Sequence, residues 1–136
     1  NGMIDGFGYE IWEFMEAAEF SNMPQALKDA FLRVNPDTAQ LRRMHDKDRE
    51  RMLSFRDLPD GDLRALRART LVVLGDRDVV TLEHALEIVR RIPQARLLVL
   101  PAGHGDYIGE VVATGPENNL AEHTAAIIGE FLRGQD

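Results

Sequence analysis

Two short loops of this sequence carry side chains that can hold and transfer a proton. Residues 75–78 read Gly-Asp-Arg-Asp and residues 103–106 read Gly-His-Gly-Asp, so the carboxyl group of Asp78 and the imidazole of His104 stand 26 positions apart. A carboxylate bonded to one ring nitrogen selects the tautomer and stabilises the imidazolium, while the other nitrogen moves the proton. The two loops therefore predict an acid–base relay in which Asp78 orients His104.

Each loop follows a segment that predicts a strand. Residues 70–74 and 96–100 each contain four consecutive leucine or valine residues, which is typical of strands buried on both faces of a parallel sheet. Residues 83–92 between them have apolar side chains at helical spacing and are followed by proline. Strand, helix and strand form a βαβ unit with parallel strands. Loops at the carboxyl ends of such strands meet at one edge of the sheet, so we expect Asp78 beside His104.

The first half of the chain predicts helices instead of strands. Apolar residues recur there at helical spacing, and two boundaries are marked by residue type. Asn35-Pro36 ends one helix, and Asp37 is a candidate cap for the next. The predicted helices are residues 8–20, 24–34, 37–55, a short one around Leu63 and Leu66, and 120–132 at the end of the chain.

Three segments resemble the closing part of an α/β-hydrolase: residues 70–81, 92–97 and 100–105. In that family G-x-x-D follows the penultimate strand and carries the triad acid, and a Gly-His pair follows the last strand and carries the base. The resemblance implies that Asp78 is the catalytic acid and His104 the catalytic base. It also implies a partial α/β-hydrolase fold of class α/β, with a parallel sheet of two to three strands and flanking helices.

The resemblance divides the chain into two parts. Residues 69–136 are expected to be the C-terminal βαβα segment of the hydrolase core. Residues 1–68 resemble, in architecture only, the helical cap that many family members insert before these strands. Arg69 and Leu82 stand where the family commonly has proline, and a surface loop tolerates both changes.

The family's nucleophile has no counterpart in this sequence. In the family a serine lies in a G-x-S-x-G elbow upstream of the cap, whereas Ser21 and Ser54 have no elbow glycines. We expect that the half carrying the nucleophile is absent and that the chain alone is inactive. The completed protein would be a serine hydrolase of a small ester or related acyl compound. An aspartate nucleophile, C–C bond hydrolysis and cofactor-free peroxidase chemistry stay open.

Two functions of other classes compete with the hydrolase. A truncated, non-catalytic chain would expose the edge of a short sheet, and such an edge favours self-association. We therefore expect a homodimer or larger assembly if these residues are the whole molecule. A flavodoxin-like receiver or binding domain is the third reading, but it requires several more strands than the sequence offers.

The amino-acid composition restricts the classes of partner and site that the protein can have. The net charge is −7, from 23 acidic and 16 basic residues, which argues against a nucleic-acid partner. The absence of cysteine excludes a disulfide, a thiolate metal site and a cysteine nucleophile. No apolar run approaches the roughly 20 residues that span a bilayer. We expect a cytoplasmic protein with no membrane partner, no metal and no cofactor.

The remaining polar candidates receive supporting roles. We expect Asp76 to bond to local backbone. Asp106 and Tyr107 are expected to support the histidine loop or the following helix, with no catalytic role. The other three histidines stand in polar helical contexts and are expected to be solvated, without a spacing that indicates a metal site; they are His45, His84 and His123.

Overall fold

A computed structural model of the chain describes residues 9–112 and 119–134. The described residues up to Arg56 form one compact helical unit, and those from Asp57 onward form a second unit of helices and a parallel sheet. The predicted α/β class, with a short parallel sheet and flanking helices, is confirmed. The first eight residues of the predicted cap lie outside the described residues. No described helix has both the length and the apolar character needed to cross a membrane.

The helical unit contains three α-helices: α1 (Tyr9–Glu16), α2 (Gln25–Val34) and α3 (Thr38–Leu53). Asp37 caps α3 as predicted, because its carboxylate accepts hydrogen bonds from the backbone N–H groups of Ala39 (2.8 Å) and Gln40 (3.1 Å). Within this unit Leu41 is fully buried. The predicted first helix is too long, because α1 ends at Glu16 and residues 20–22 form a separate 3₁₀ turn. The backbone N–H of Glu19, just before this turn, donates a hydrogen bond to Oδ1 of Asn22 at 2.9 Å.

The second unit contains two strands and three α-helices. In chain order they are α4 (Asp60–Ala65), β1 (Leu71–Arg77), α5 (Leu82–Arg91), β2 (Arg96–Gly103) and α6 (Leu120–Arg133). The predicted βαβ order is therefore present, and each strand extends three residues beyond its predicted end. The extension brings the strands up to the two loops that carry the candidate site residues.

β1 and β2 pair in parallel with one irregularity near their carboxyl ends. Gly75 pairs with Leu100 and Arg77 with Gly103, so two residues of β2 face one residue of β1. The carboxylate of Asp76 lies at this point and accepts a hydrogen bond from the backbone N–H of Ala102 at 2.9 Å. A side chain on Gly75 would collide with the carbonyl oxygen of Ala102. The close approach of the strand ends therefore requires glycine.

The strands are less buried than the sequence predicts. Leu74, Leu100 and Ala102 are buried, but Val99 is 38% exposed and several other strand residues are only half-buried. The expectation of strands buried on both faces is thus wrong in part. The physical reason is that the described sheet has two strands. Each is therefore an edge strand, and its side chains have cross-strand neighbours on one side only.

Candidate active site

The carboxyl group of Asp78 and the imidazole of His104 are in direct contact. Oδ1 of Asp78 lies 2.6 Å from Nδ1 of His104. Asp78 directly follows the end of β1, and His104 directly follows the end of β2. The parallel pairing of the two strands brings both loops to the same edge of the sheet. The structure therefore brings together the two residues predicted for the site, while their catalytic role stays a prediction.

The carboxylate of Asp78 is held by its own loop. Its side chain is only 2% exposed. Oδ1 accepts a hydrogen bond from the backbone N–H of Val79 (2.7 Å), and Oδ2 accepts one from the backbone N–H of Gly75 (3.2 Å). Oδ2 also accepts a hydrogen bond from the phenol of Tyr107 (3.2 Å). Five donors, counting His104 and the backbone N–H of Val80 at 3.5 Å, thus surround one buried carboxylate, which is how proteins stabilise a buried charge.

These donors determine the charge of Asp78. Burial by itself raises the pKa of the carboxyl group, but hydrogen bonds from His104 and from the backbone N–H of Gly75 outweigh burial. The pKa of Asp78 therefore lies below its ordinary value of 3.8. Asp78 is ionised at neutral pH and acts only as a hydrogen-bond acceptor.

The charge of Asp78 in turn selects the tautomer of His104. Because an ionised carboxylate cannot donate, Nδ1 of His104 carries the proton in this hydrogen bond. In the neutral ring Nε2 then has a free lone pair, and it lies on the side of the ring away from Asp78. The side chain of His104 is 56% exposed. A buried acid and an accessible ring nitrogen form the arrangement that general-base catalysis requires.

The loop that carries His104 is fixed by local contacts. Oδ2 of Asp106 accepts a hydrogen bond from the backbone N–H of Gly103 at 2.8 Å. Gly105 has a φ of 75°, in the left-handed region that favours glycine, and residues 106–108 form a 3₁₀ turn. Asp106 thus supports the histidine loop.

Tyr107 contacts the acid itself, which the sequence did not predict. The sequence feature that could have indicated this contact is the position of Tyr107, three residues after His104 in a tight turn that returns toward β1. Burial raises the pKa of Tyr107 to about 12, and the nearby charge and hydrogen bond of Asp78 act in the same direction. The phenol therefore stays protonated at neutral pH and donates a hydrogen bond to Asp78.

The hydrogen-bond partner predicted for Asp76 is wrong. It was expected to bond to local backbone, but its partner is the N–H of Ala102, 26 residues away on β2. The irregular pairing of the strand ends places that N–H opposite the side chain of Asp76. This hydrogen bond joins the carboxyl ends of β1 and β2 next to the site.

Two of the three remaining histidines also differ from expectation. His45 is largely buried, with Nδ1 3.0 Å from Oδ1 of Asp46 and its ring edge-on to Phe20. His84 is half-buried, and its Nε2 is buried without a hydrogen-bond partner among the described residues. The burial of each ring depends on what packs around it, which a polar sequence context does not reveal. His123 is exposed, as expected.

The two serines make short-range hydrogen bonds within the helical unit. The hydroxyl of Ser21 donates to the carboxylate of Glu19 at 3.2 Å. The hydroxyl of Ser54 donates to the backbone carbonyl of Glu50 at 2.7 Å, at the end of α3. Neither bond involves a histidine. Within residues 9–112 and 119–134, no cluster of three or more His, Asp or Glu side chains could hold a metal ion.

Comparison with known proteins gives one structural likeness. A hydrolase from Pseudomonas aeruginosa PA01 is similar in structure, with 18% sequence identity and a TM-score of 0.45. The similarity covers 92% of this chain and 49% of that hydrolase, so this chain spans about half of its length. No family model matches the chain, and no curated protein matches it. A likeness this distant does not extend to function, so the α/β class rests on the helices and parallel strands described above.

Proposed function

We propose that this chain supplies the acid and the base of a hydrolytic catalytic triad that acts on a small ester or related acyl compound. His104 is the general base, and Asp78 is the residue that orients it. The nucleophile is a serine outside these 136 residues, and the chain alone does not turn over substrate. One observation carries the proposal: a buried, ionised carboxylate bonded at 2.6 Å to Nδ1 of an exposed imidazole.

The reaction would use the two nitrogens of His104 in different ways. Nε2 accepts the proton of the serine hydroxyl as the oxygen attacks the acyl carbon, and the ring becomes an imidazolium. The charge of Asp78 stabilises that imidazolium through Nδ1–H. Nε2 then gives the proton to the leaving group, and the same nitrogen activates the water that releases the acyl group. The lowered pKa of Asp78 supports this role, because the carboxylate stays ionised throughout.

The test begins with the gene. The mass of the intact protein is compared with the open reading frame, which is searched for G-x-S-x-G upstream of Asn1. The protein expressed from the whole frame is then assayed with p-nitrophenyl esters. We expect His104→Ala to lower kcat by on the order of 10⁴-fold or more, with folding retained.

The matched control is His45→Ala, which removes a second histidine that contacts a carboxylate. We expect this variant to keep its kcat. Unchanged turnover in His104→Ala, or a frame without any nucleophile elbow, would end the proposal.

A second candidate function is a non-catalytic module that self-associates as a homodimer or larger assembly. What supports it is the two-stranded sheet, whose outer edges have no described partner strand, together with the exposed side chain of Val99 on β2. Unpaired strand edges and exposed apolar residues favour association with a second copy. In this reading the contact between Asp78 and His104 has only a structural role.

Light scattering at micromolar concentration tests the second candidate. We expect a mass of at least twice that of the chain, and Val99→Lys should shift the population toward monomer because a buried lysine opposes association. Glu122→Gln, an exposed substitution on α6 that also raises the net charge by one, is the control for the change in charge. A monomer at all concentrations contradicts self-association.

A further inference from the structure

Two side chains of one loop bond to the two oxygens of the same carboxylate. Nδ1 of His104 bonds to Oδ1 of Asp78 at 2.6 Å, and the hydroxyl of Tyr107 bonds to Oδ2 at 3.2 Å. The two donors are three positions apart. Gly105, in the left-handed conformation, follows His104, and Tyr107 lies in the 3₁₀ turn of residues 106–108 that comes next. One short segment of the chain therefore supplies a donor to each oxygen of this carboxylate.

From this geometry we propose that Tyr107 is a positioning residue for the acid–base pair, and that it clamps Asp78 so that Oδ1 stays aligned with Nδ1 of His104. The inference rests on the proposed function, because it assigns a further residue to the same site. Tyr107 does not touch substrate in this role. It acts through Asp78.

A restraint of this kind matters because the carboxylate of an aspartate can rotate. Rotation about the Cβ–Cγ bond of an aspartate is soft and two-fold, so the side chain could exchange its two oxygens or turn away from the ring. Backbone N–H groups of Gly75 and Val79 restrain one oxygen each. The phenol adds a further restraint, and it comes from the loop that also carries the base. The loop that carries the base therefore also helps to hold the acid in alignment.

Two other groups in the loop have different tasks. Asp106 bonds to the backbone of Gly103 and so shapes the loop. Ile108 is 62% exposed and has no polar atom for the carboxylate. Tyr107 is thus the member of the 3₁₀ turn whose side chain reaches Asp78. Its pKa, raised to about 12, agrees with a phenol that stays protonated beside a buried negative charge.

The first experiment measures the pair and needs no turnover. Tyr107→Phe removes only the hydroxyl, and nuclear magnetic resonance of the chain follows the Nδ1 proton of His104. We expect exchange of this proton with water to become about tenfold faster, because one hydrogen bond to a charged group is lost. The pKa of Asp78 should rise, because one donor to the ionised form is lost.

Ile108→Ala, in the same 3₁₀ turn, is the matched control and should change neither quantity. Asp78→Asn should lower the pKa of Tyr107 from about 12, which checks the same contact from the other side by ultraviolet titration. If Tyr107→Phe leaves the Nδ1 exchange rate and the pKa of Asp78 unchanged, the clamp does not exist.

The second experiment uses the whole encoded protein in the ester assay. We expect Tyr107→Phe to lower kcat by roughly threefold to tenfold with KM unchanged, because the effect acts on alignment and not on substrate binding. Unchanged kcat together with a changed Nδ1 exchange rate would overturn the positioning role. Failure of the hydrolase proposal is separate, because it is read from His104→Ala and not from Tyr107.

Discussion

The two units of this protein each contain a histidine whose Nδ1 contacts an aspartate, and the two pairs are opposites. In the α/β unit the ring of His104 is exposed and the carboxylate of Asp78 is buried. In the helical unit the ring of His45 is 12% exposed and the carboxylate of Asp46 is 61% exposed. The N–O distances, 2.6 Å and 3.0 Å, are both hydrogen-bonding distances. Distance alone therefore does not identify a catalytic pair.

The difference lies in which partner meets the solvent. A general base needs a ring nitrogen that substrate can reach, and its acid works best where water does not screen the charge. Asp78 and His104 satisfy both conditions. In the other pair the ring is packed edge-on against Phe20 at 5.7 Å and the charge is in water, so His45 contributes to packing. Burial, and not proximity, separates the two roles.

Removing the charge of each acid in turn should give the largest difference between the two pairs. In the whole encoded protein, Asp78→Asn should lower kcat by roughly 10³- to 10⁴-fold, because the amide no longer selects the reactive tautomer. Asp46→Asn should leave kcat unchanged. The ester assay with both variants measures this contrast, and equal losses would mean that burial does not distinguish the pairs.

We expect His45 to contribute to the free energy of unfolding, whereas His104 contributes to turnover. His45→Ala removes a ring that packs against Phe20 and should lower the free energy of unfolding by about 1–3 kcal/mol. Urea unfolding measures the change, and turnover should stay at the wild-type level. A loss of turnover with stability unaltered would place His45 in the chemistry and contradict the comparison.

Acid should weaken the pair that contains Asp78. The pKa of this carboxyl group in the folded chain lies below its ordinary value of 3.8. Folding therefore gains stability from the carboxylate above about pH 3.8, and loses it as the pH falls through the folded-state value. At neutral pH Asp78→Asn should lower the free energy of unfolding by about 1–3 kcal/mol.

Urea unfolding at pH 7 and at pH 3 checks the sign of this effect. The difference between wild type and Asp78→Asn should shrink at the lower pH. Asp46→Asn, which alters an exposed carboxylate, should change stability little at either pH. A difference that grows in acid would contradict the lowered pKa.

The smallest expected effect concerns His84, on α5. Nε2 of His84 is buried without a hydrogen-bond partner among the described residues, which costs free energy. His84→Met should therefore stabilise the protein by up to about 1 kcal/mol, as seen in the midpoint of thermal unfolding. Destabilisation of similar size would indicate that the ring nitrogen has a partner that the described contacts do not include.

Much of the local structure was predictable from residue type. Asn35-Pro36 ends α2 and Asp37 caps α3, because these features depend on neighbours within a few positions. The strand, helix, strand order was also predictable, since apolar runs and helical spacing are local patterns. The breaks that lacked such a signal were missed, as at residues 20–22.

The site was predictable in part. The order of strands and loops was enough to place Asp78 beside His104, because parallel strands bring their following loops to one edge. The hydrogen bonds of Asp76 and Tyr107 were not predictable. They join residues 26 and 29 positions apart, and they depend on the irregular pairing of β1 with β2 and on the turn after Gly105.

By itself, the sequence determined which groups stand at the strand ends and in what order they occur, since hydrophobic pattern and turn residues act over short distances. Only the tertiary structure decided which carboxylate is buried and which ring is exposed. Burial is a property of everything that packs around a side chain, so it distinguishes His104 from His45 although both lie next to an aspartate. The physical reason is that solvation is set by the whole fold, whereas secondary structure is set largely by neighbours along the chain.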